Sequence, residues 1–226
     1  MSECPEALPP TQRELRKRDR RRAIIDAARE SFLHKGFDAT TMSGLIGSIG
    51  GSKATLWSYF RSKEELFAAV LDDAMLEHRG ELLACIEPTG DLVQSLQQFS
   101  RAFLAKISSP QSLALWRVIA AESGRNPEIG RIFYERAPRR IEEGLTAFIA
   151  THMDLGDLRP EDPRRAARVL ISLCAARQHR LMWGVATNDP VEIEADVQLA
   201  VDVFLRAYGA ADRSEVHLGT GVVARS

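Results

Sequence analysis

Apolar residues along this chain recur at three- and four-residue steps, and no segment alternates with period two, so the pattern predicts an all-α protein. Ile24, Ala27, Ala28, Ser31 and Phe32 line one side of a helix expected from about Asp19 to Lys35, with Gly36 as its stop. Met42, Leu45, Ile46 and Ile49 then mark a short helix behind Thr40 or Thr41 as N-cap, and Gly50-Gly51 breaks it. Ser52 caps a second short helix whose Leu56 and Phe60 turn inward. Ser62-Lys63-Glu64-Glu65 reads as a capping box in which Ser62 and Glu65 satisfy each other's backbone N–H groups. The helix it starts carries Leu66, Phe67, Val70, Leu71, Met75, Leu82, Leu83 and Ile86 as far as Pro88, a length of about 38 Å.

Further helices begin after Gly90-Asp91, at Ser109-Pro110 and at Asn126-Pro127, with an interruption at Pro138 and a continuation to about Met153. Asp162-Pro163 and Asp189-Pro190 start the last two; a capping residue before proline at the first helical position is a specific start signal. From Val169 to Ala176 only Ser172 is polar, and between Val191 and Tyr208 the polar residues collect into the stripe Glu194, Gln198, Asp202 and Arg206. Helices this apolar suggest burial on one side and a second subunit on the other, with Leu170, Leu173, Cys174, Arg177, Val197, Val201, Phe204 and Leu205 as candidates for the subunit interface. A thick monomeric core fits the same pattern. Residues 1–15, with Pro5, Pro9 and Pro10, read as a disordered arm, and 209–226 as a flexible tail.

The outer face of the second short helix is chemically unusual. Lys53, Thr55, Trp57, Ser58 and Tyr59 offer an ammonium, hydroxyls and aromatics with polar edges, which suit phosphates and base edges in a major groove. From spacing alone, two core helices with a half-exposed Trp-Ser-Tyr fit equally well. Charge tips the balance only locally. The net charge of −1 says nothing, but residues 1–70 hold 12 Lys/Arg against 9 Asp/Glu while the remainder is net acidic. The run Arg16-Lys17-Arg18-Asp19-Arg20-Arg21-Arg22 just before the motif is either a solvated face or a basic arm for phosphate or the minor groove.

Other chemistries lack their residues. Cys4, Cys85 and Cys174 are odd in number and widely spaced, which argues against a disulfide framework or a zinc site and for reduced thiols in a cytoplasmic protein. The five histidines form no H-E-x-x-H or Glu-x-x-His pair, Gly47 to Lys53 departs from a phosphate loop, and there is no G-x-S-x-G. No metal, cofactor or catalytic residue is therefore expected. No apolar run reaches the roughly 18 residues of a membrane span.

Gly36-Phe37-Asp38-Ala39-Thr40-Thr41-Met42, then Gly50, Ser52-Lys53, Thr55-Leu56, Tyr59-Phe60 and Ser62-Lys63-Glu64-Glu65-Leu66-Phe67 resemble, in order and without a gap, the N-terminal pattern of the TetR family of bacterial transcriptional regulators. The likeness covers about residues 17–80, and Leu115–Glu122 with Phe133–Arg136 resemble AefR-like members. It implies a three-helix helix-turn-helix domain over 16–80, with the motif at about 42–61, and a ligand-binding and dimerisation domain over 81–208. The implied partners are a palindromic double-stranded DNA operator, a small-molecule effector and a second copy, the last two helices pairing into a four-helix interface. The implied DNA contacts are Thr41 and Lys63 to phosphate, Ser52, Lys53, Ala54, Thr55 and Ser58 along the reading helix, Trp57 and Tyr59 bracing the backbone, and Arg20, Arg21 and Arg22 as the basic arm. Met75, His78, Phe99, Phe103, Trp116 and Phe133 are pocket candidates, though each also fits a plain core position. Ile46, Ile49 and Gly51 depart from the family pattern, and Gly44 and Gly47 weaken the first motif helix by up to about 1 kcal/mol each. The expected function is a ligand-controlled transcriptional repressor; a helical-bundle dimer with an enzymatic or purely structural role is the alternative.

Overall fold

The computed structural model describes residues 11–50, 52–87 and 90–210, and for residues 75–79 the backbone alone. The chain is all-α. Its helices are α1 (Gln12–Ala39), α2 (Met42–Ile49), α3 (Lys53–Tyr59), α4 (Lys63–Ala84) and α5 (Leu92–Ile107), followed by α6 (Pro110–Ser123), α7 (Pro127–Arg136), α8 (Pro138–Leu155), α9 (Pro163–Met182) and α10 (Pro190–Tyr208). No strand occurs among the described residues; Leu158 and Gly209 form an isolated antiparallel bridge.

The helix starts follow local chemistry. Ser109, Asn126, Asp162 and Asp189 each accept a backbone N–H from the first turn they precede, with proline at the next position. Pro138 opens α8 without a side-chain cap. The capping box at Ser62 forms by half: Ser62 Oγ accepts from Glu65 N–H at 3.0 Å, but the Glu65 carboxylate accepts from Arg61 N–H at 2.7 Å rather than from Ser62.

One expectation gives way at the N-terminus. Residues 1–10 lie outside the described part, but the arm expected to reach residue 15 ends at Thr11, where a capping box starts α1. Thr11 Oγ1 accepts from Glu14 N–H at 3.3 Å and the Glu14 carboxylate accepts from Thr11 N–H at 2.7 Å. The first helix is thus seven residues longer at its start than the apolar pattern indicates. At its other end Gly36 adopts φ +82°, which only glycine takes without strain, and the helical path breaks there.

The chain divides into two compact units. The first comprises the described residues up to Met75 together with Ala114–Arg136, and the second the described residues of Leu76–Leu113 and those from Ala137 to Ala210. The expected boundary near residue 80 lies close to the first division, but the return of 114–136 to the first unit has no counterpart in the sequence reading. The core of the first unit is built on Phe32, Phe37 and Phe67, whose ring centroids lie 5.3–5.5 Å apart. Ile24, Leu45, Leu56, Phe60, Leu66, Val70, Ile119 and Ile129 complete it. The core of the second unit joins Leu96, Phe99, Leu145, Phe148, Leu170, Val197 and Phe204 from α5, α8, α9 and α10.

Candidate nucleic-acid interface

Two short helices and a glycine turn make the motif. Thr41 caps α2, its Oγ1 accepting from Gly44 N–H at 3.0 Å, and Met42 and Leu45 bury its inner side. Gly50 ends α2 with φ +66° and ψ 158°, a region closed to side chains with a Cβ; Gly51 lies outside the described residues. Ser52 then caps α3, its Oγ accepting from Thr55 N–H at 3.2 Å. Leu56 and Phe60, at 3% and 1% exposure, nail α3 to the core. Ile46 and Ile49, larger than the resemblance leads one to expect, are half-buried and pack on the same core, so their bulk is accommodated at the edge.

Burying Leu56 and Phe60 turns Lys53, Ala54, Trp57 and Ser58 outward. Trp57 is 42% exposed, a large apolar ring left to solvent on a seven-residue helix. The hydroxyls are partly engaged. Thr55, half-buried, shares a 2.9 Å contact with Ser52 Oγ, and Ser58 Oγ donates to the Thr55 carbonyl at 2.7 Å. Tyr59 is half-buried and packs against the core, so its ring is less available than that of Trp57. Thr41 is exposed at the start of α2.

Several expected phosphate ligands prove to be fasteners. Lys63 Nζ donates to the carbonyls of Phe37 at 2.8 Å and Asp38 at 3.3 Å and lies 4.2 Å from the Phe37 ring centroid. Its ammonium is satisfied inside the unit. Arg20 donates through Nη1 to the Ile49 carbonyl at 3.1 Å and through Nη2 to the Gly50 carbonyl, closing the C-terminus of α2. Arg22 is paired with Asp73 at 2.6 Å and Asp26 at 3.3 Å. Of the three, only Arg21 has no hydrogen bond or ion pair among the described residues; its guanidinium lies 5.2 Å from the centroid of the Phe60 ring. Arg13, outside the basic run read from the sequence, joins exposed Arg16 and Lys17 of that run on the first turns of α1; the spacing Thr11-x-x-Glu14 is the signal that places them on a helix.

The expected subunit contacts also need correction. Leu170, Cys174, Arg177, Val197, Val201 and Phe204 are all buried within this chain, and Leu205 packs against the same core. They were chosen from helices apolar on nearly every side, where periodicity cannot say which side turns inward. Arg177 is held by Asp196 at 2.7 Å, by Glu192 at 3.0 Å and by the Thr187 carbonyl. Burial pushes the Cys174 thiol up to about 11, which disfavours the nucleophilic thiolate at neutral pH. The outer side of α9 and α10 instead presents Val169, Ser172, Leu173, Ala176 and Leu199 around a shallow depression of about 510 Å³, flanked by Arg165 and Arg168. Leu173 and Arg177, the latter buried in its ion pairs, are common to both sets.

The pocket candidates fall into separate units. Phe99 and Phe103 stack at 5.7 Å in the second core, and Trp116 and Phe133 stack at 5.6 Å in the first. The side chains of Met75 and His78 lie outside the described residues. Among the described residues no cluster of His, Cys, Asp and Glu could hold a metal ion, and no helix is long and apolar enough to cross a membrane.

Known proteins share this arrangement. A family model described as bacterial regulatory proteins, tetR family, matches residues 24–70, and one described as AefR-like transcriptional repressor, C-terminal domain, matches residues 94–210. The HTH-type transcriptional regulator BetI of Rhizobium meliloti (strain 1021) is 28% identical over 194 residues, covering 84% of this chain and 91% of that protein. Among solved structures, the flavonoid-responsive regulator FrrA superposes with a TM-score of 0.77 at 30% identity, over 86% of this chain and 99% of that one. A TetR family transcriptional regulator from Pseudomonas syringae pv. tomato str. DC3000 follows the fold at a TM-score of 0.66 and 27% identity, over 84% of this chain and 97% of its own.

Proposed function

Because the chain belongs to the TetR family of bacterial regulatory proteins and is a DNA-binding transcriptional regulator, we propose that it is a repressor, held on a palindromic operator until a small-molecule effector releases it. The observation that carries the DNA-reading assignment is the outer face of α3, where Lys53, Ala54 and Trp57 stand exposed on a helix anchored from behind by Leu56 and Phe60. Lysine brings a charge to phosphate or a guanine edge, and alanine offers a methyl to thymine. Thr41 and Ser58 lie exposed beside them.

Repression and release need two more parts. A dimer formed through the outer face of α9 and α10 would set two α3 helices about 34 Å apart, one turn of duplex or a near multiple. An effector would favour a state with a different spacing, and its effect is bounded by its differential affinity for the two states. The family model describes a repressor, and FrrA is named for its response to flavonoids, so planar aromatic compounds are the first effectors to screen by operator release.

Mobility-shift titration with duplex DNA from around the protein's own gene tests the reader. Lys53→Ala combined with Trp57→Ala is expected to weaken operator binding by about tenfold or more while leaving the thermal unfolding curve in place. Unchanged binding by this double variant would remove α3 from the interface.

A further inference from the structure

The first three turns of α1 have no part in any core. From Thr11 to Ala23 every residue is exposed except half-buried Arg20, and the first buried side chain is Ile24. This segment is nevertheless helical and closed by the Thr11–Glu14 capping box. It holds Arg13, Arg16, Lys17, Arg18, Arg20, Arg21 and Arg22 against Glu14 and Asp19.

Four of these seven bases share one side of the helix, and Arg18, Arg21 and Arg22 lie off it. At 100° per residue, Arg13, Arg16, Lys17 and Arg20 fall within one stripe that continues the line of Ile24. Ile24 packs where α1 meets Ile46, Ile49, Ser52 and Leu56, and Arg20 grips the Ile49 and Gly50 carbonyls at the turn before α3. The stripe therefore lies on the side of α1 that faces the motif turn, and its first two turns overhang that turn by about 12 Å. Arg13, Arg16 and Lys17 have no hydrogen-bond or ion-pair partner among the described residues.

Such a stripe disfavours its own helix. Like charges three and four residues apart repel, and cations in the first turns oppose the positive end of the helix macrodipole. A polyanion laid along the stripe reverses both terms. We infer that the helical overhang Gln12–Arg20 is a second, sequence-independent DNA contact, in which Arg13, Arg16 and Lys17 bind backbone phosphates next to the segment that α3 reads. The inference rests on the DNA-reading assignment of α3, and charge complementarity with continuity to the α3 face selects duplex DNA as the occupant.

Salt dependence separates the two claims. The full chain and its Arg13→Gln/Arg16→Gln/Lys17→Gln variant are titrated against a labelled 30-base-pair duplex of arbitrary sequence and against DNA from around the protein's own gene, across 50 to 200 mM salt. Each phosphate neutralised adds about −0.9 to the slope of log K against log salt, so the variant is expected to lose about 2 to 3 from the slope on both duplexes while keeping its preference between them. Glutamine keeps helix propensity, and a circular dichroism melt verifies that fold and helix content are retained. An unchanged slope overturns the inference and leaves α3 as the reader. If the same substitutions leave the slope alone but abolish binding to phosphatidylglycerol vesicles, the stripe belongs to an anionic membrane surface and the inference again falls. Loss of sequence preference on Lys53→Ala/Trp57→Ala with the slope retained reports on α3 alone.

Discussion

Lys63 shows how far a residue's role can depend on partners remote in sequence. Its place in the motif, directly after the Ser62 cap, suggests a phosphate ligand, and its length would allow one. In the folded unit its ammonium meets two carbonyls and an aromatic face at the turn after Gly36, and so fastens α4 to the end of α1. Glu122 supports the same turn, buried at 7% exposure with Oε1 accepting from Asp38 N–H at 3.5 Å. Lys63→Ala is therefore expected to cost about 1 to 3 kcal/mol in urea unfolding, since it strips two carbonyls of a charged donor. The salt slope of DNA binding should not change. A slope reduced by about 0.9 with stability intact would show instead that the side chain leaves the turn for a phosphate. The residues of α3 were legible because a helix of this size has one buried side, and Leu56 and Phe60 define it. Arg20 was not, because the carbonyls it holds come from a turn whose position depends on tertiary packing.

Among elements, starts were easier to read than surroundings. The Ser-Pro, Asn-Pro and Asp-Pro pairs are self-contained, since the capping side chain and the proline act within four residues, and each of them opens a helix. Apolar periodicity does not mark the beginning of α1, because a helix held by capping and propensity alone has none. Ion pairing between elements is likewise invisible to a local reading. Arg101 on α5 and Glu194 on α10 form a bidentate pair at 2.7 and 2.8 Å, and Gln198 Nε2 donates to Glu194 at 2.8 Å. The Arg101 hydrogen bond, followed by that of Gln198, holds the Glu194 carboxyl at about 2, against 4.5 for an ordinary glutamate. With the folded value depressed, the pair stabilises the second unit fully above about 4.5 and loses that contribution as pH falls from there toward 2. Glu194→Gln should lower thermal stability at neutral pH and flatten its dependence on pH in that window, so that variant and parent converge as pH falls toward 2. Both side chains are nearly half exposed, so added salt should shrink the difference between variant and parent. Equal acid sensitivity of the two proteins at low salt would count against the pair.

At the scale of the whole molecule, the proposed dimer sets a second copy against the outer face of α9 and α10. That the last two helices carry more apolar surface than one chain can cover was legible from Val169 to Ala176 and from Val191 to Tyr208. Which residues remain outside was not, because two apolar sides of one helix look alike until the core selects between them. The core takes Leu170, Cys174, Val197, Val201 and Phe204, and leaves Leu199 61% exposed beside Val169, Leu173 and Ala176, with Val203 38% exposed one turn further along α10. The apolar face, not charge, carries the self-complementary match: Glu192 and Asp196 of α10 already hold Arg177, Glu194 holds Arg101 and Asp202 pairs with Arg206. Leu199→Asp with Val203→Asp places two carboxylates on each copy in the middle of that face, where four would have to lose water together. Sedimentation at micromolar concentration is expected to give a dimer for the parent and a monomer for the variant. Because both side chains point away from the core, each subunit should keep its helical content. The monomer should also lose its advantage on a two-half-site operator over a single half-site, since the second α3 is no longer delivered with the first. A variant that remains dimeric would place the subunit contact elsewhere, and a parent that sediments as a monomer would leave the exposed face of α9 and α10 without a second copy to cover it.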